Sequence, residues 1–396
     1  MHMYAQIHSG AESHKNISKS SNKLLHLYYT NSNVLFGVCA GISVEINFNA
    51  SNTNVDIQTD TLEDALMNLS NDLILDKIFQ TVLKPSKLDY YHFKMSENPE
   101  ISDVTMTGSV SIDMLDNLLV CLNNYKGPLS ITLHINDDNN LQLNLDTVKS
   151  FLNNNFAVLK KQLDLHLIID NFPHQHNYFA NVAAFFSRTD LILPMDFNFI
   201  SSTDFSLNKY EGVLSKLMDQ NNKVLYIIPS FEKVQSENAW ELTSQFPHSK
   251  KGLMEENRYQ IYGGSDNRAH ISTNYSEWYL ANNPYLTASI SFFYEPFAVF
   301  NKHVVPWMDE RFIGSNGGGR SAWFYEITLS GFEFWVLNDD FLIFSNTPTS
   351  LANELKNKTF WGFLPEICNR HRVRLWESEK KEIDLMGCRP GPNSRF

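Results

Sequence analysis

From residue 103 onward, short apolar runs alternate with longer amphipathic segments, and this alternation limits the folds open to the chain. Runs typical of buried strands lie at residues 103–110, 127–137, 163–171, 190–200 and 224–232, with helix-like segments between them. Strands that alternate with helices of this length form βαβ units around a mainly parallel sheet. We therefore predict an α/β fold with a Rossmann-like, mainly parallel central sheet flanked by helices.

The run at residues 190–200 is the strand that points most clearly to a site. It is apolar except for two small polar residues near its end, Asp196 and Asn198. Residues two apart in a strand share a face, and open α/β sheets bind ligands at the carboxyl ends of their strands. Asp196 and Asn198 are therefore predicted to face a ligand together, although each could instead only stabilise the strand end or a turn.

Composition and motifs exclude several classes of function. The 396 residues carry a formal net charge of −12, so a nucleic-acid partner is not expected. There is no GxGxxG after the first strand and no GxxxxGK[ST], which disfavours a dinucleotide enzyme and a P-loop NTPase. No apolar run approaches the ~20 residues that span a bilayer, so neither a signal nor a transmembrane segment is evident.

The four cysteines fit no metal-binding spacing. Cys39 and Cys121 stand far from the others, whereas Cys368 and Cys388 are near each other in the C-terminal region. Buried free thiols are one interpretation. A Cys368–Cys388 disulfide is the alternative if the protein is secretory.

A series of motifs follows in one order along the chain. They are GPLS (127–130), NVAA (181–184), DFNF (196–199), IIPSFE (227–232), AHISTNYSEW (269–278), YEPFAVFNK (294–302), MDERFIG (308–314) and GFEFWVLNDDFLIF (331–344). Together these motifs resemble glycosyltransferase family 49, the LARGE and β-1,4-glucuronyltransferase type. The resemblance implies a GT-A-type glycosyltransferase fold over residues 103–350. We predict a flexible segment at 1–23, an extension packed on the main domain at 24–102, and a helical extension and tail at 351–396.

The sequence departs from the family pattern near the expected chemistry. Asn198 replaces the second metal-binding Asp, Phe344 replaces a metal-binding His, Thr347 a second His, and Ala180 an Arg. Hard divalent cations need several oxygen ligands, and an amide oxygen is a poorer ligand than a carboxylate. Asp196 and Asn198 are therefore predicted to bind Mn²⁺ weakly, with oxygens of a UDP-sugar completing the site.

The resemblance also implies roles for individual residues. Asp196, Asn198, Asn181, His270 and Arg320 are predicted to contact the UDP-sugar. Matches at Thr273, Asn274 and Trp278 support a pocket role for His270.

Asp309 is the candidate catalytic base, and its alternative role is an ion pair with Arg311. Glu295 is the rival base or an acceptor-binding residue. Lys302 is a second basic candidate for the diphosphate, although a surface charge is the simpler interpretation.

The function implied is transfer of glucuronic acid or xylose from a UDP-sugar to a glycan hydroxyl, with inversion, in the Golgi or secretory lumen. The alternative is a non-catalytic family member that binds a glycan, a nucleotide or a partner glycosyltransferase. A third possibility is an active transferase that needs no metal ion and binds the diphosphate with basic side chains.

Overall fold

The computed structural model describes residues 87–172, 175–201, 206–234, 247, 249–256, 258–263, 269–291, 293–310, 312, 319–344, 364, 367 and 368. All of them belong to the compact unit 85–396. The predicted segment 1–23, most of the predicted extension 24–102 and most of the region 351–396 lie outside the described residues.

The strands and helices follow the predicted alternation. The strands are β1 Lys87–Phe93, β2 Val104–Val110, β3 Leu129–Asn136, β4 Leu163–Asp170, β5 Leu191–Pro194, β6 Phe199–Ser201, β7 Val224–Ile228, β8 Ser230–Lys233, β9 Tyr259–Ile261, β10 Tyr285–Leu286, β11 Phe297–Asn301, β12 Glu333–Val336 and β13 Leu342–Phe344. The helices are α1 Leu115–Asn124, α2 Leu141–Asn154, α3 Phe156–Gln162, α4 His176–Phe185, α5 Val213–Met218, α6 Lys250–Glu255, α7 Tyr275–Leu280 and α8 Gly319–Leu329. In the part of the chain that the structure describes, no helix is long and apolar enough to cross a membrane.

A nine-stranded sheet forms the centre, in the order β1-β4-β3-β2-β5-β11-β7-β12-β10. Strands β2 to β5 run parallel to one another, as do β7 and β12, whereas β11 is antiparallel to both β5 and β7. The predicted α/β class with a mainly parallel, Rossmann-like sheet is confirmed, and a mixed half continues from it. Strand β1 pairs antiparallel with β4, so the sheet begins before residue 103.

Two predicted strands are each divided between two sheets. The run at 190–200 forms β5 and β6, and the run at 224–232 forms β7 and β8, so predicting one strand for each was wrong. Strands β6, β13, β8 and β9 make a separate four-stranded sheet. Pro229 separates β7 from β8, and proline lacks the N–H that a continuous ladder would require.

Two predicted helices are also interrupted. The helix-like segment between the runs at 127–137 and 163–171 is divided, because α2 ends at Asn154 and α3 begins at Phe156. The segment at 207–220 forms a 3₁₀ turn at Leu207–Lys209 and then α5. Gly212 between them has φ of 72°, a left-handed conformation that stops helical propagation and that glycine tolerates best.

Helix α4 is attached to the sheet by buried polar groups as well as by apolar packing. The Ser130 hydroxyl donates to the Ala183 carbonyl over 2.6 Å, and the Thr132 hydroxyl donates to the Phe179 carbonyl over 2.9 Å. Both hydroxyls are buried in β3, where an unpaired polar group would be costly. These bonds set the position of α4, which carries two side chains of the candidate site.

Gly108 in β2 permits the close approach of the segment that joins β5 to β6. A Cβ atom at position 108 would lie 2.5 Å from the Met195 carbonyl oxygen and 2.9 Å from Cε2 of Phe197. The Met195 amide also donates to the Thr107 carbonyl over 2.7 Å. The chain between the two sheets therefore crosses β2 at a separation that only glycine allows.

We expect Gly108→Ala to lower the free energy of unfolding by about 1–3 kcal/mol, because the new methyl group overlaps backbone atoms that cannot move aside easily. Urea denaturation measures this change. Gly252→Ala is the matched control, since a Cβ there would meet its nearest atoms at an ordinary 3.5 Å. Equal stability of Gly108→Ala and the parent protein would contradict the close crossing.

Candidate functional site

Asp196 lies just beyond the carboxyl end of β5, in a turn stabilised by its own side chain. Its Oδ1 accepts hydrogen bonds from the backbone N and from Nδ2 of Asn198, both over 2.9 Å. Nδ2 of Asn117 in α1 donates to Oδ1 of Asn198 over 3.3 Å. The neighbours Met195 and Phe197 are buried, so this turn directs Asp196 outward into an exposed position.

Four aromatic side chains, Phe199, Tyr262, Phe297 and Phe344, form an aromatic floor beside this turn. The Phe199 ring centroid lies 4.5 Å from that of Phe297 and 5.0 Å from that of Phe344. Tyr262 packs on Phe199 and Phe344, in both cases at 4.9 Å. In the ladder, Phe344 is opposite Phe199, the residue that follows Asn198. Thr347 lies outside the described residues.

Arg320, near the start of α8, places its guanidinium group over this floor. The guanidinium carbon is 4.3 Å from the centroid of the Phe297 ring. Nη2 donates to the carbonyls of Pro296 over 2.8 Å and of Pro194 over 3.4 Å. Because Pro194 ends β5 and Pro296 precedes β11, Arg320 holds two adjacent strands of the sheet together at the site.

Charged groups around Arg320 influence one another. Burial lowers the pKa of the Arg320 guanidinium to about 10, and the charges of Glu295 and Asp196 oppose that shift. Burial, together with the charges of Asp196, Glu232 and Glu295, raises the pKa of the Tyr262 hydroxyl to about 12. Glu295 also accepts a hydrogen bond from the Ser321 hydroxyl. The structure therefore brings Asp196, Glu295 and Arg320 into one electrostatic cluster.

His270 belongs to the same region, whereas the residues that match around it have structural roles. The His270 ring lies 5.4 Å from that of Tyr262, and its Nδ1 is 3.3 Å from the Ser230 hydroxyl. Asn274 caps α7 by accepting from the Glu277 amide, and the buried Trp278 donates to the Leu337 carbonyl over 2.9 Å. Thr273 bonds the Tyr294 hydroxyl.

A second cluster forms where α4 meets the segment around residue 309. The Asn177 side chain donates to the Asp309 carbonyl over 2.8 Å. The Asn181 side chain donates to the Met308 carbonyl over 2.9 Å and to Oε1 of Glu310 over 3.0 Å. Asn181 thus holds the segment that carries Asp309, and its contact with the donor stays a prediction.

Gly319 joins this cluster to the cleft. A Cβ atom at position 319 would lie 2.6 Å from Nδ2 of Asn177, so the start of α8 packs directly on the same asparagine that holds Asp309. Arg320 follows immediately in the chain. The cluster around Asn177 and the cluster around Arg320 therefore involve neighbouring residues at the start of α8.

Two further candidates have defined positions. The ammonium group of Lys302 donates to the Ser187 carbonyl over 2.6 Å, and the Lys302 backbone amide donates to Asp190, before the amino end of β5. Lys302 thus lies at the opposite end of β5 from Asp196 and is a poor candidate for the diphosphate. Cys121 is buried and free, and Cys368 is disulfide-bonded. Because Cys388 lies outside the described residues, its pairing with Cys368 stays a prediction.

The donor set around Asp196 does not fit a tightly held divalent metal. Within the described ranges, no three His, Cys, Asp or Glu side chains converge to hold an ion. Oδ1 of Asp196 and Oδ1 of Asn198 already accept hydrogen bonds, and the guanidinium of Arg320 acts on the same carboxylate. One carboxylate beside a fixed cation is an unfavourable ligand set for Mn²⁺, which prefers several anionic oxygens.

Sequence reasoning missed Tyr262, Glu310 and Asn177. Asn177 and Asn181 are four residues apart on a helix, which puts them on one face. The sequence could therefore have indicated that both side chains contact the same segment. Tyr262 stands in no motif and reaches the site only because β9 pairs with β8. Burial raises the pKa of Glu310 to about 7. The charge of Asp309 also raises this pKa, whereas the hydrogen bond from Asn181 lowers it.

We expect Glu310 to make the stability depend on pH. Since its pKa rises from 4.5 to about 7 on folding, the folded state binds more protons in that window, and the free energy of unfolding falls as pH rises. At pH 8, Glu310→Gln should remove a penalty of about 3 kcal/mol that is absent near pH 4.5. Urea denaturation at both pH values measures the difference, with the exposed Glu255→Gln as control. Parallel pH profiles for the parent and Glu310→Gln would refute the shift.

Comparisons with known proteins identify similar sequences. A family model described as "Glycosyl-transferase for dystroglycan" matches residues 168–359. The xylosyl- and glucuronyltransferase LARGE2 of Mus musculus is 27% identical over 256 residues, covering 62% of this chain and 34% of that protein. LARGE1 of the same organism is 24% identical over 303 residues, covering 74% and 38%.

The crystal structure of S. aureus TarS 1-349 has a TM-score of 0.34 and 12% identity, covering 72% of this chain and 68% of that one, a similarity too low to bear on fold or function. The matching part of the chain spans about a third of the length of the two curated relatives. Residues 168–359 include β5, the aromatic floor, Asp309 and Arg320. Through this region, the family model and the LARGE1 and LARGE2 matches support a similarity to glycosyltransferase family 49, the LARGE type.

Proposed function

We propose that this protein transfers a sugar of the glucuronic acid or xylose class from a UDP-sugar to a glycan hydroxyl, with inversion at the anomeric carbon. The observation that carries the proposal is the convergence of Asp196, Glu295 and Arg320 over the aromatic floor, just beyond the carboxyl end of β5. Ligands of open α/β sheets bind at such an edge. The names of LARGE1 and LARGE2, xylosyl- and glucuronyltransferases, support the donor class.

In the proposed reaction, Asp196 and Asn198 bind hydroxyl groups of the nucleotide, and Arg320 faces the diphosphate. Asp309 takes the proton of the acceptor hydroxyl as its oxygen attacks the anomeric carbon from the side opposite UDP. The bond to the diphosphate breaks, and UDP leaves with the electron pair. Glu295, already bonded to Ser321 and near Arg320, suits binding of a sugar hydroxyl better than proton transfer.

The second candidate is a non-catalytic member that binds a glycan, a nucleotide or a partner glycosyltransferase. The specific observation in its favour is Phe344, an apolar ring packed on Phe199 where the family resemblance implies a metal-binding His. Under either proposal, the family resemblance suggests that the protein is located in the Golgi or secretory lumen.

Nucleotide binding and transfer, measured separately, distinguish the two. We expect UDP to raise the melting temperature and UDP release from UDP-glucuronic acid or UDP-xylose to increase with xyloside or glucuronide acceptors. Asp309→Asn should lower transfer at least ~100-fold, since a positioned base contributes that much, while UDP binding is retained. UDP binding without transfer for any donor and acceptor would favour the non-catalytic member. Absence of UDP binding would defeat the transferase proposal.

The weak metal site gives a separate prediction. Mn²⁺ alone should bind weakly to the parent protein, because Asp196 is the one carboxylate of the predicted ligand pair. Asn198→Asp combined with Phe344→His adds a carboxylate and an imidazole and should tighten Mn²⁺ binding at least ~10-fold, as measured by titration calorimetry. Asn222→Asp combined with Phe293→His is the control with the same changes of residue type elsewhere. Tight Mn²⁺ binding by the unaltered protein would contradict the unfavourable ligand set.

A further inference from the structure

We infer that Arg320 supplies the fixed positive charge for the diphosphate of the nucleotide, in the place of a tightly held divalent cation. The inference rests on the proposed function, since it concerns the same ligand. It further predicts that UDP binds when divalent metal is removed.

The first argument is the mismatch between the donor set and a metal ion. Asp196 is the one carboxylate of the turn, and its Oδ1 is already occupied by two hydrogen bonds from Asn198. Phe344, opposite Phe199 in the ladder, provides no ligand atom. A nucleoside diphosphate in this place still requires a positive charge, and the guanidinium group is the cation whose field reaches Asp196.

The second argument is that Arg320 is preorganised. Its guanidinium stacks on Phe297 and is anchored through Nη2 to the carbonyls of Pro296 and Pro194. A cation held in this way loses little side-chain freedom when it binds an anion. Planar guanidinium groups also match phosphate geometry better than an ammonium group does.

The third argument is unused hydrogen-bonding capacity. Nε of Arg320 is buried with no partner, and Nη1 donates to none of the described residues. Donors of a charged group left unpaired in a partly buried site are costly, which is why such groups are normally satisfied. An anionic ligand at Nη1 would supply an acceptor there.

The carboxylates around Arg320 explain how the site remains selective. Glu295 and Asp196 favour the charged guanidinium, so the cation persists at neutral pH despite its burial. The same carboxylates would oppose a free anion that makes no other contact. A nucleotide overcomes this opposition because its ribose hydroxyls donate to carboxylates while its phosphates meet the guanidinium.

The test compares uridine with UDP by titration calorimetry in EDTA. The parent protein should bind UDP more tightly than uridine, because only UDP engages Arg320. Arg320→Met should weaken UDP binding about 10- to 100-fold, the range for a hydrogen bond to a charged group, and leave uridine binding unchanged. Arg320→Lys should give an intermediate UDP affinity. Lys302→Met, which removes a cation at the other end of β5, should change neither.

Three outcomes would overturn the inference. If the parent binds UDP no better than uridine in EDTA but gains affinity with Mn²⁺, a metal supplies the charge and the proposed function survives. If Arg320→Met and Arg320→Lys weaken uridine and UDP binding equally, Arg320 has only a structural role. If neither ligand binds with or without Mn²⁺, the proposed function itself fails together with the inference.

Discussion

The close crossing of residues 195–197 over Gly108 is the contact on which the rest of the site depends. A side chain at position 108 would overlap the Met195 carbonyl, so this glycine lets the chain leave β5 and pass directly over β2. The crossing ends one strand and begins another in the second sheet. It also puts Asp196 at the carboxyl edge of the parallel strands, where its turn with Asn198 holds it outward. The aromatic floor follows from the same geometry, because Phe199 begins the strand that pairs with Phe344.

Electrostatics, more than ligand count, distinguishes this cleft from a metal-binding site. A guanidinium group buried over Phe297 would be unfavourable alone, and burial does lower its pKa to about 10. The negative charges of Glu295 and Asp196 offset that cost when no ligand is bound. A tightly bound Mn²⁺ would repel the guanidinium. Arg320 and a weak metal site are therefore consistent with each other, and both follow from one set of contacts.

The second cluster connects the cleft to the candidate base. Asn177 and Asn181 occupy successive turns of α4 and hold three consecutive residues, Met308, Asp309 and Glu310, through carbonyl and carboxylate oxygens. Because Gly319 packs on Asn177, a shift of the segment around Asp309 would be transmitted to Arg320 at the next position. In this segment Met308 is buried, whereas Asp309 and Glu310 are partly exposed.

The sequence by itself determined the fold class, most element positions and the place of Asp196 near a strand end, because apolar periodicity and local turn chemistry are properties of neighbouring residues. It did not reveal that the runs at 190–200 and 224–232 divide between two sheets, since an apolar run is the same pattern in one long strand or two short ones. The positions of Tyr262, Glu310 and Arg320 relative to Asp196 were decided by tertiary structure, because their contacts join segments far apart in the chain. Burial and fixed charge act through space, and only the folded chain sets those distances.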